Sequence, residues 1–366
     1  MIFSYTNFKK KGFLNISMKD QYFFVSQLLN WYSKYGRHSL PWQRDKTPYK
    51  VWLSEIMLQQ TQVKTVIPYF QRFIIIFPNF KELALSSLDL VMYEWTGLGY
   101  YNRAYNLHKT AKIVHEKYNG ELPSDLYSLL SLPGIGRSTA GAILSFAFNK
   151  RYSILDTNVK RVLIRYYMIE GYPNNKIVEN YLWKLLDELM PVEHSTQFNQ
   201  AMMDIGAQIC THSNPKCIIC PLHIKCQSYL KKCWMKYPIK KIKEKLPRKS
   251  TWFLILQSKN TVWLEKRSLK GIWGGLFCFP QFPDLEKLEI FILNKGVQIS
   301  QYRKLSTINH SFSHFHIDIH PIFLNISNIR LNLNERIGFW FHWKVKPFIG
   351  LSTPVRYLLK KVEQIN

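Results

Sequence analysis

The sequence predicts two domains of different class, an all-α domain followed by an α+β domain, and three observations carry that reading. The chain has 366 residues, enough for two hydrophobic cores at roughly 150 residues per domain. From about Asp20 to Met190 apolar residues recur at three- and four-residue steps, the period of an amphipathic helix. After Cys226 the texture changes to short alternating runs separated by Gly, Pro and Asn, the pattern of strands and turns.

Residues 1–18 read as a basic extension, with Met18 a second candidate start. Tyr22, Val25, Leu28, Leu29 and Tyr32 then form the first apolar stripe, and Gly36 ends it. Similar periodicity predicts helices over 49–63, 64–77, 88–96, 102–118, 137–148, 159–168, 177–190 and 197–210, giving a helical domain over 19–230. Residues 231–249 hold nine Lys/Arg, one Glu and two prolines, which reads as a solvated linker. Beyond it, 252–257, 261–266, 276–279 and 315–319 alternate as strands do, and with two helices they form an α+β domain over 250–366.

Composition narrows the function classes. A hydrophobic share of 46% and an aromatic share of 15% exclude a disordered chain. No apolar run approaches the roughly 18 residues of a membrane span. The first residues lack the long apolar run and small-residue cleavage site of a signal peptide, so a cytoplasmic protein is expected. Lys+Arg exceed Asp+Glu by 50 to 24, a net charge of +26. A nucleotide bias in the gene produces such an excess too, so charge points to a polyanionic partner without establishing one.

Four of the six cysteines crowd into Cys210-x6-Cys217-x2-Cys220-x5-Cys226. In a reducing compartment such a cluster is a metal centre rather than disulfides. The spacing suits a tetrahedral zinc or a cubane iron–sulfur cluster equally. Cys233 and Cys278 stand apart and read as bystanders.

Three further features carry chemistry. The turn Leu132-Pro133-Gly134-Ile135-Gly136 precedes a helix starting near Arg137. Its glycines allow a tight turn that points amide N–H groups outward, an anion site suited to a DNA phosphate and blind to sequence. With the small residues of RSTAGA it is a helix-hairpin-helix signature. Glu55 lies in a largely apolar helix, sharing one polar strip with Gln59 and Gln62. Either that strip is the helix's solvent edge, or it faces a cleft where desolvation raises the carboxyl toward values useful to a general acid. Asp156 follows Ile154-Leu155 and precedes a helix; it reads as an N-cap, or as a carboxylate that amides and the helix dipole keep ionised. One neutral and one charged carboxyl is the pairing that breaks a glycosidic bond through an oxocarbenium-like state.

The ordered segments LPW at 40–42, PYKVWLSEIMLQQTQVKTVIPYF at 48–70, GLGYYNRAYNLHK at 97–109, LPGIGRSTAGAILS at 132–145, LDTNVKRVL at 155–163 and FNQAMMDIGAQIC at 198–210 closely resemble the MutY family of adenine DNA glycosylases, in the helix-hairpin-helix superfamily. The resemblance continues through KGIWGGLFCFPQF at 270–282 and HSFSHFHIDIHP at 310–321. It implies an all-α helix-hairpin-helix glycosylase domain with a [4Fe–4S] loop, followed by an α+β Nudix-like 8-oxoguanine recognition domain. It further implies a monomer that acts on double-stranded DNA, flips adenine out of an 8-oxoguanine·A or G·A mispair and cuts its glycosidic bond.

The resemblance also assigns residues. Glu55 protonates the adenine ring and then assists water, Asp156 stabilises the sugar cation, and Asn158 orients the site. Trp42, Gln43 and Gln200 fall where the family's adenine pocket lies, and Gln60 and Tyr100 match residues that wedge near the mispair. Cys210, Cys217, Cys220 and Cys226 bind the cluster; Gly134, Gly136 and Lys216 lie against phosphates. Ser138 stands where a related lyase branch carries a Schiff-base Lys, which implies a monofunctional enzyme. Thr157 replaces a family Gly directly after Asp156, so a left-handed backbone there would be strained. In the second domain the Mg²⁺-binding carboxylates of a hydrolytic Nudix box are missing after Gly274-Gly275. Phe312-Ser313-His314 would sense 8-oxoguanine, a reading preferred to a metal site built from His314, His316, Asp318 and His320.

Overall fold

Ser17 accepts the Asp20 amide at 3.1 Å and opens α1 (Met18–Tyr35). The computed structural model describes residues 16–241, 245–298, 301–326, 337–345 and 347–364. Most of the basic extension, and 242–244 of the linker, lie outside the described residues. After α1 come α2 (Pro48–Leu58), α3 (Val63–Ile76), α4 (Phe80–Leu85), α5 (Leu88–Glu94), α6 (Asn102–Lys117), α7 (Leu126–Ser131), α8 (Arg137–Phe148), α9 (Thr157–Tyr167), α10 (Lys176–Leu189), α11 (Ser195–Gln208) and the short α12 (Gln227–Leu230). Thr47, Asn79, Ser87, Asp125, Asp156 and Asn175 each cap a helix by accepting an amide of its first turn.

One predicted helix is shorter than its periodicity implies. The helix expected over 49–63 stops at Leu58. Gln60 takes a left-handed φ of 57°, and the Thr61 amide returns to the Leu58 carbonyl at 3.2 Å. Gln59 and Gln62 are therefore beyond the helix and share no helical strip with Glu55. Conversely, α4 was not predicted, because six residues are too few to display a 3.6-residue period.

The chain divides into two compact units, one of Met1–Ile75 with Ile113–Ile242, the other of Ile76–Lys112 with Lys243–Asn366. In the first, Phe24, Leu28 and Trp31 of α1 pack with Val159, Val162 and Leu163 of α9, Leu182, Leu185 and Leu186 of α10, and Phe198, Met202 and Ile205 of α11. The Phe24 ring meets Tyr166 edge-on at 4.9 Å.

The second unit is built on a mixed sheet. β1 (Arg248–Ser258) runs parallel to β7 (His316–Asn325), from Arg248 opposite His316 to Gln257 opposite Asn325. β2 (Thr261–Lys266), β3 (Phe277–Cys278), β4 (Gln281–Phe282), β5 (Arg303–Lys304), β6 (Ile308–Ser311) and β8 (Gly338–His342) add antiparallel pairings. Phe253, Leu254, Ile255 and Leu256 are all buried, as an interior strand covered on both faces requires. α13 (Leu285–Asn294) and α14 (Thr353–Glu363) complete the unit, and Leu288 and Ile292 of α13 enter a core with Leu254, Leu256, Trp263 and Ile322. Residues 76–112 join it through Asp89 and Lys266 at 2.6 Å, the Tyr93 and Phe348 rings at 5.2 Å, and Tyr101 Oη donating to the Leu351 carbonyl at 3.4 Å. Among the described residues, no helix is long and apolar enough to cross a membrane.

Candidate active site

Helix α2 presents Glu55 from an otherwise apolar cylinder. Val51, Trp52, Leu53, Ser54, Ile56 and Met57 are buried around it, and only Glu55 and Leu58 keep partial exposure within Val51–Leu58. The helix packs against α8. Burial pushes the Glu55 carboxyl up to about 7, and the charge of Asp156 adds to the effect. The fold therefore brings these two carboxyls, 101 positions apart in the chain, into electrostatic range.

Asp156 caps α9, its Oδ1 accepting the Val159 amide at 2.7 Å and its Oδ2 accepting Asn158 Nδ2 at 2.8 Å. Arg161 Nη2 donates to Asn158 Oδ1 at 2.8 Å and to the Gly206 carbonyl at 2.6 Å; its Nε donates to the Cys210 carbonyl at 2.7 Å. Burial raises the Asp156 carboxyl, outweighing the Val159 amide, the Asn158 amide and the Arg161 charge, which all lower it. Both carboxyls are thus displaced upward, but only Asp156 accepts such donors among the described residues. Those donors favour the charged form of Asp156, and no such donor favours it at Glu55 among the described residues.

Thr157 lies in the right-handed first turn of α9 and is exposed. No glycine is demanded there by the backbone, so the anticipated strain is absent. A glycine is demanded nearby: a Cβ on Gly206 would stand 2.6 Å from Asn158 Cβ, where α11 crosses α9.

Of the adenine-pocket candidates, Trp42 is buried, with its ring edge-on to Phe70 at 5.5 Å. Gln43 Oε1 accepts the Leu40 amide at 3.2 Å, closing the turn that carries Trp42. Gln200 Nε2 donates to Asp204 Oδ1 at 3.0 Å. Asp204, fully buried, also accepts the Arg37 amide at 2.7 Å, Arg37 Nε at 2.9 Å and Arg37 Nη2 at 2.6 Å. Sequence reasoning missed Arg37, Arg161 and Asp204. Asp204 carried a legible signal, a carboxylate inside the apolar run MMDIGA; Arg37 and Arg161 carried none, since an Arg looks the same in sequence whether solvated or buried.

At the hairpin, Gly134 takes a φ of 80°, reachable at low cost only by glycine. Gly136 is extended and open around its Cα, so the reading that both glycines are needed for the turn applies to Gly134 alone. Gly136 begins α8 without a side-chain cap, leaving first-turn amides available to an anion. Gln59 Nε2 ties α2 to this turn through the Gly134 carbonyl and Thr139 Oγ1, both at 3.2 Å. Ser138 is partly exposed on α8, while Gln60 and Lys216 are exposed.

The four clustered cysteines line one cavity with Arg165, His223, Tyr229 and Trp234. Arg165 Nη1 donates to Cys210 Sγ at 3.4 Å, and burial pushes the Cys220 thiol up to about 12. Among the described residues no three His, Cys, Asp or Glu side chains converge on a single metal ion. Four thiols around one cavity are the donor set of a thiolate-bound metal centre. Cys233 instead faces Met168 Sδ at 3.9 Å, and Cys278 is buried in β3.

In the second unit Tyr100 is exposed at a left-handed φ of 49°, with the Arg103 guanidinium 5.4 Å from its ring centre. Phe312, Ser313 and His314 form the tip between β6 and β7, closed by the Phe312 amide donating to the Phe315 carbonyl at 2.9 Å. The polar face of β7 is internally satisfied: Arg248 and Asn309 hold Asp318, Ser311 meets His316, and Ser250 and Thr307 meet His320.

Family models match residues 53–188 as an HhH-GPD superfamily base excision DNA repair protein and residues 251–361 as a NUDIX domain. The chain is 47% identical over 345 residues to the adenine DNA glycosylase of Buchnera aphidicola from Acyrthosiphon pisum, covering 94% of this chain and 99% of that one. A thermostable thymine-DNA glycosylase superposes with a TM-score of 0.54 at 30% identity, over 58% of this chain and 98% of its own. An endonuclease III in a non-covalent DNA complex shares the helical fold, with a TM-score of 0.52 at 23% identity over 59% and 98%.

Proposed function

The chain belongs to the adenine DNA glycosylase family of base excision repair enzymes, and from that premise we propose its substrate and the division of labour in its site. The substrate is adenine opposite 8-oxoguanine or guanine in duplex DNA. The single observation that carries the chemistry is the Glu55 carboxyl at about 7 beside the charge of Asp156.

The flipped adenine enters beside Trp42, Gln43 and Gln200. Glu55 gives its proton to a ring nitrogen, the C1′–N9 bond breaks, and the bonding pair leaves with the neutral base. The sugar is left as an oxocarbenium ion, which the Asp156 carboxylate stabilises. Asn158, clamped by Arg161, keeps Asp156 aimed. Glu55, now ionised, accepts the proton of the water that adds to C1′. Ser138 offers no amine for a Schiff base, so the reaction ends at the abasic site. Gly134, Gly136 and Lys216 hold phosphates; Gln60 and Tyr100 wedge the duplex, and both pay for a left-handed backbone. Cys210, Cys217, Cys220 and Cys226 would hold a [4Fe–4S] cluster, which would cross-link their loop. The Phe312–His314 tip senses 8-oxoguanine, and the protein works as a monomer on the cytoplasmic nucleoid.

The test is single-turnover adenine release from 8-oxoguanine·A, G·A and A·T duplexes, with alkali added afterwards. Strand scission only after alkali, fastest for 8-oxoguanine·A and lost in Glu55→Gln, is the expected result. A stoichiometric borohydride-trapped adduct would sink the monofunctional assignment. Because the acid form of Glu55 is required, kcat/KM should fall about tenfold per pH unit above about 7.

A further inference from the structure

The hairpin tip that carries Ser313 and His314 is closed by the Phe312 amide on the Phe315 carbonyl and is backed by rings from outside the hairpin. Four residues, 312–315, separate the last pair of the β6–β7 ladder, Ser311 opposite His316, and Ser313 and His314 are exposed. A loop of that length and exposure pays conformational entropy whenever it must present one shape. Here its base is a stack of rings. Phe312 lies nearly flat on Phe315, 4.7 Å apart at 24°, and the Lys249 ammonium sits 5.0 Å from the Phe315 ring centre. Phe312 also meets His310 edge-on at 4.8 Å and Trp273 at 5.4 Å, and Trp273 meets His310 at 5.7 Å and Phe253 at 6.3 Å.

Trp273 is an unlikely residue for its own backbone. Its φ is 55°, a left-handed conformation that bulky side chains rarely take and that persists only where the surroundings over-determine it. The surroundings do so. Arg267 Nε donates to the Ile272 carbonyl at 2.9 Å, the Arg267 amide donates to the Leu276 carbonyl at 2.9 Å, and the Leu276 amide returns to the Trp273 carbonyl at 3.1 Å. A Cβ on Gly274 would stand 2.2 Å from the Leu269 carbonyl oxygen, so the next residue has no freedom to relieve the turn. The strained turn delivers one product, a buried indole fixed under Phe312.

We propose that Trp273 is a positioning residue for recognition of the base opposite adenine, holding Phe312 so that Ser313 and His314 are presented in one conformation. This rests on the reading of the tip as the 8-oxoguanine sensor. Trp273 itself touches neither the DNA base nor the catalytic carboxyls in this scheme.

The experiment measures Kd of the full-length protein for duplexes carrying uncleavable 2′-fluoro-2′-deoxyadenosine opposite either 8-oxoguanine or guanine. Trp273→Ala should lose roughly tenfold of the preference for 8-oxoguanine, the worth of two or so aromatic contacts. Its affinity for the guanine duplex should stay within about twofold, and Trp273→Phe should restore most of the preference. If Trp273→Ala fails to fold, Trp273→Leu, which keeps apolar bulk but no ring, must show the same selective loss. Equal losses on both duplexes, or an unchanged preference, overturn the positioning role. His314→Ala separates the two layers: a selective loss there with no effect at Trp273 overturns the positioning role alone. An unchanged preference in His314→Ala overturns the sensor reading and the proposal with it.

Discussion

Asp156 and Asp318 are matched carboxylates in opposite surroundings. Each accepts short hydrogen bonds from an Asn side chain and from a second N–H donor, and each has an Arg close by. Asp318 lies at the sheet surface beside the exposed Arg248, and its pairing with Arg248 and Asn309 holds it below the ordinary carboxylate value. Asp156 accepts an Asn amide and a backbone amide but no guanidinium, Arg161 bonding to Asn158 instead, and burial raises it. A direct Arg pair at the surface and neutral donors at depth therefore displace the two carboxyls in opposite directions. A surface carboxylate with good donors is a settled structural element; the same carboxylate in a cleft keeps free energy in reserve that a nearby cation can draw on.

Substitution at the two positions should break this symmetry most widely. Asp156→Asn keeps the size and a competent helix cap but no charge, and single-turnover adenine release should fall on the order of 10³-fold. Asp318→Asn should leave that rate within about twofold. A comparable loss at both would mean that the β7 face, too, takes part in the chemistry.

A smaller effect is expected one layer behind the site. Asp204 is fully buried and its main ionic partner is Arg37. Arg37→Ala strands that carboxylate, so denaturant unfolding should show a loss of about 3 kcal/mol.

Glu55→Gln sharpens the comparison from the side of stability, in the opposite direction. A carboxyl raised from about 4.5 to about 7 on folding binds a proton more tightly in the native state. Wild-type stability therefore declines as pH rises between those values and is level beyond them. Gln has no such dependence. The variant should match the wild type near pH 4.5 and exceed it by about 3 kcal/mol at pH 8. A constant difference across that range would show that Glu55 is not desolvated in the folded protein.

How far these features were legible differs by residue. The helices with long apolar stripes, such as α9 with Val159, Val162 and Leu163, followed from periodicity because one face must be buried whatever it packs against. The end of α2 did not, because Gln59 to Gln62 read equally well as further helix until Gln60 turns left-handed. The parallel pairing of β1 with β7 is similarly absent from local pattern, since it joins residues about 68 positions apart that hold no mutual signal.

The chemistry divides along the same line. Residue types and their order specify Glu55 within a largely apolar helix, Asp156 ahead of another, four thiols within 17 positions, a hairpin turn and a Ser in place of a Lys. Those are properties of covalent order, and no folding is needed to state them. Which carboxyl keeps the proton, which Arg is buried against Asn158, and why Trp273 accepts a left-handed backbone are settled only when distant segments meet. Desolvation, Coulomb interaction and packing act through space between groups the chain separates by tens to hundreds of positions, so their balance exists only in the folded molecule.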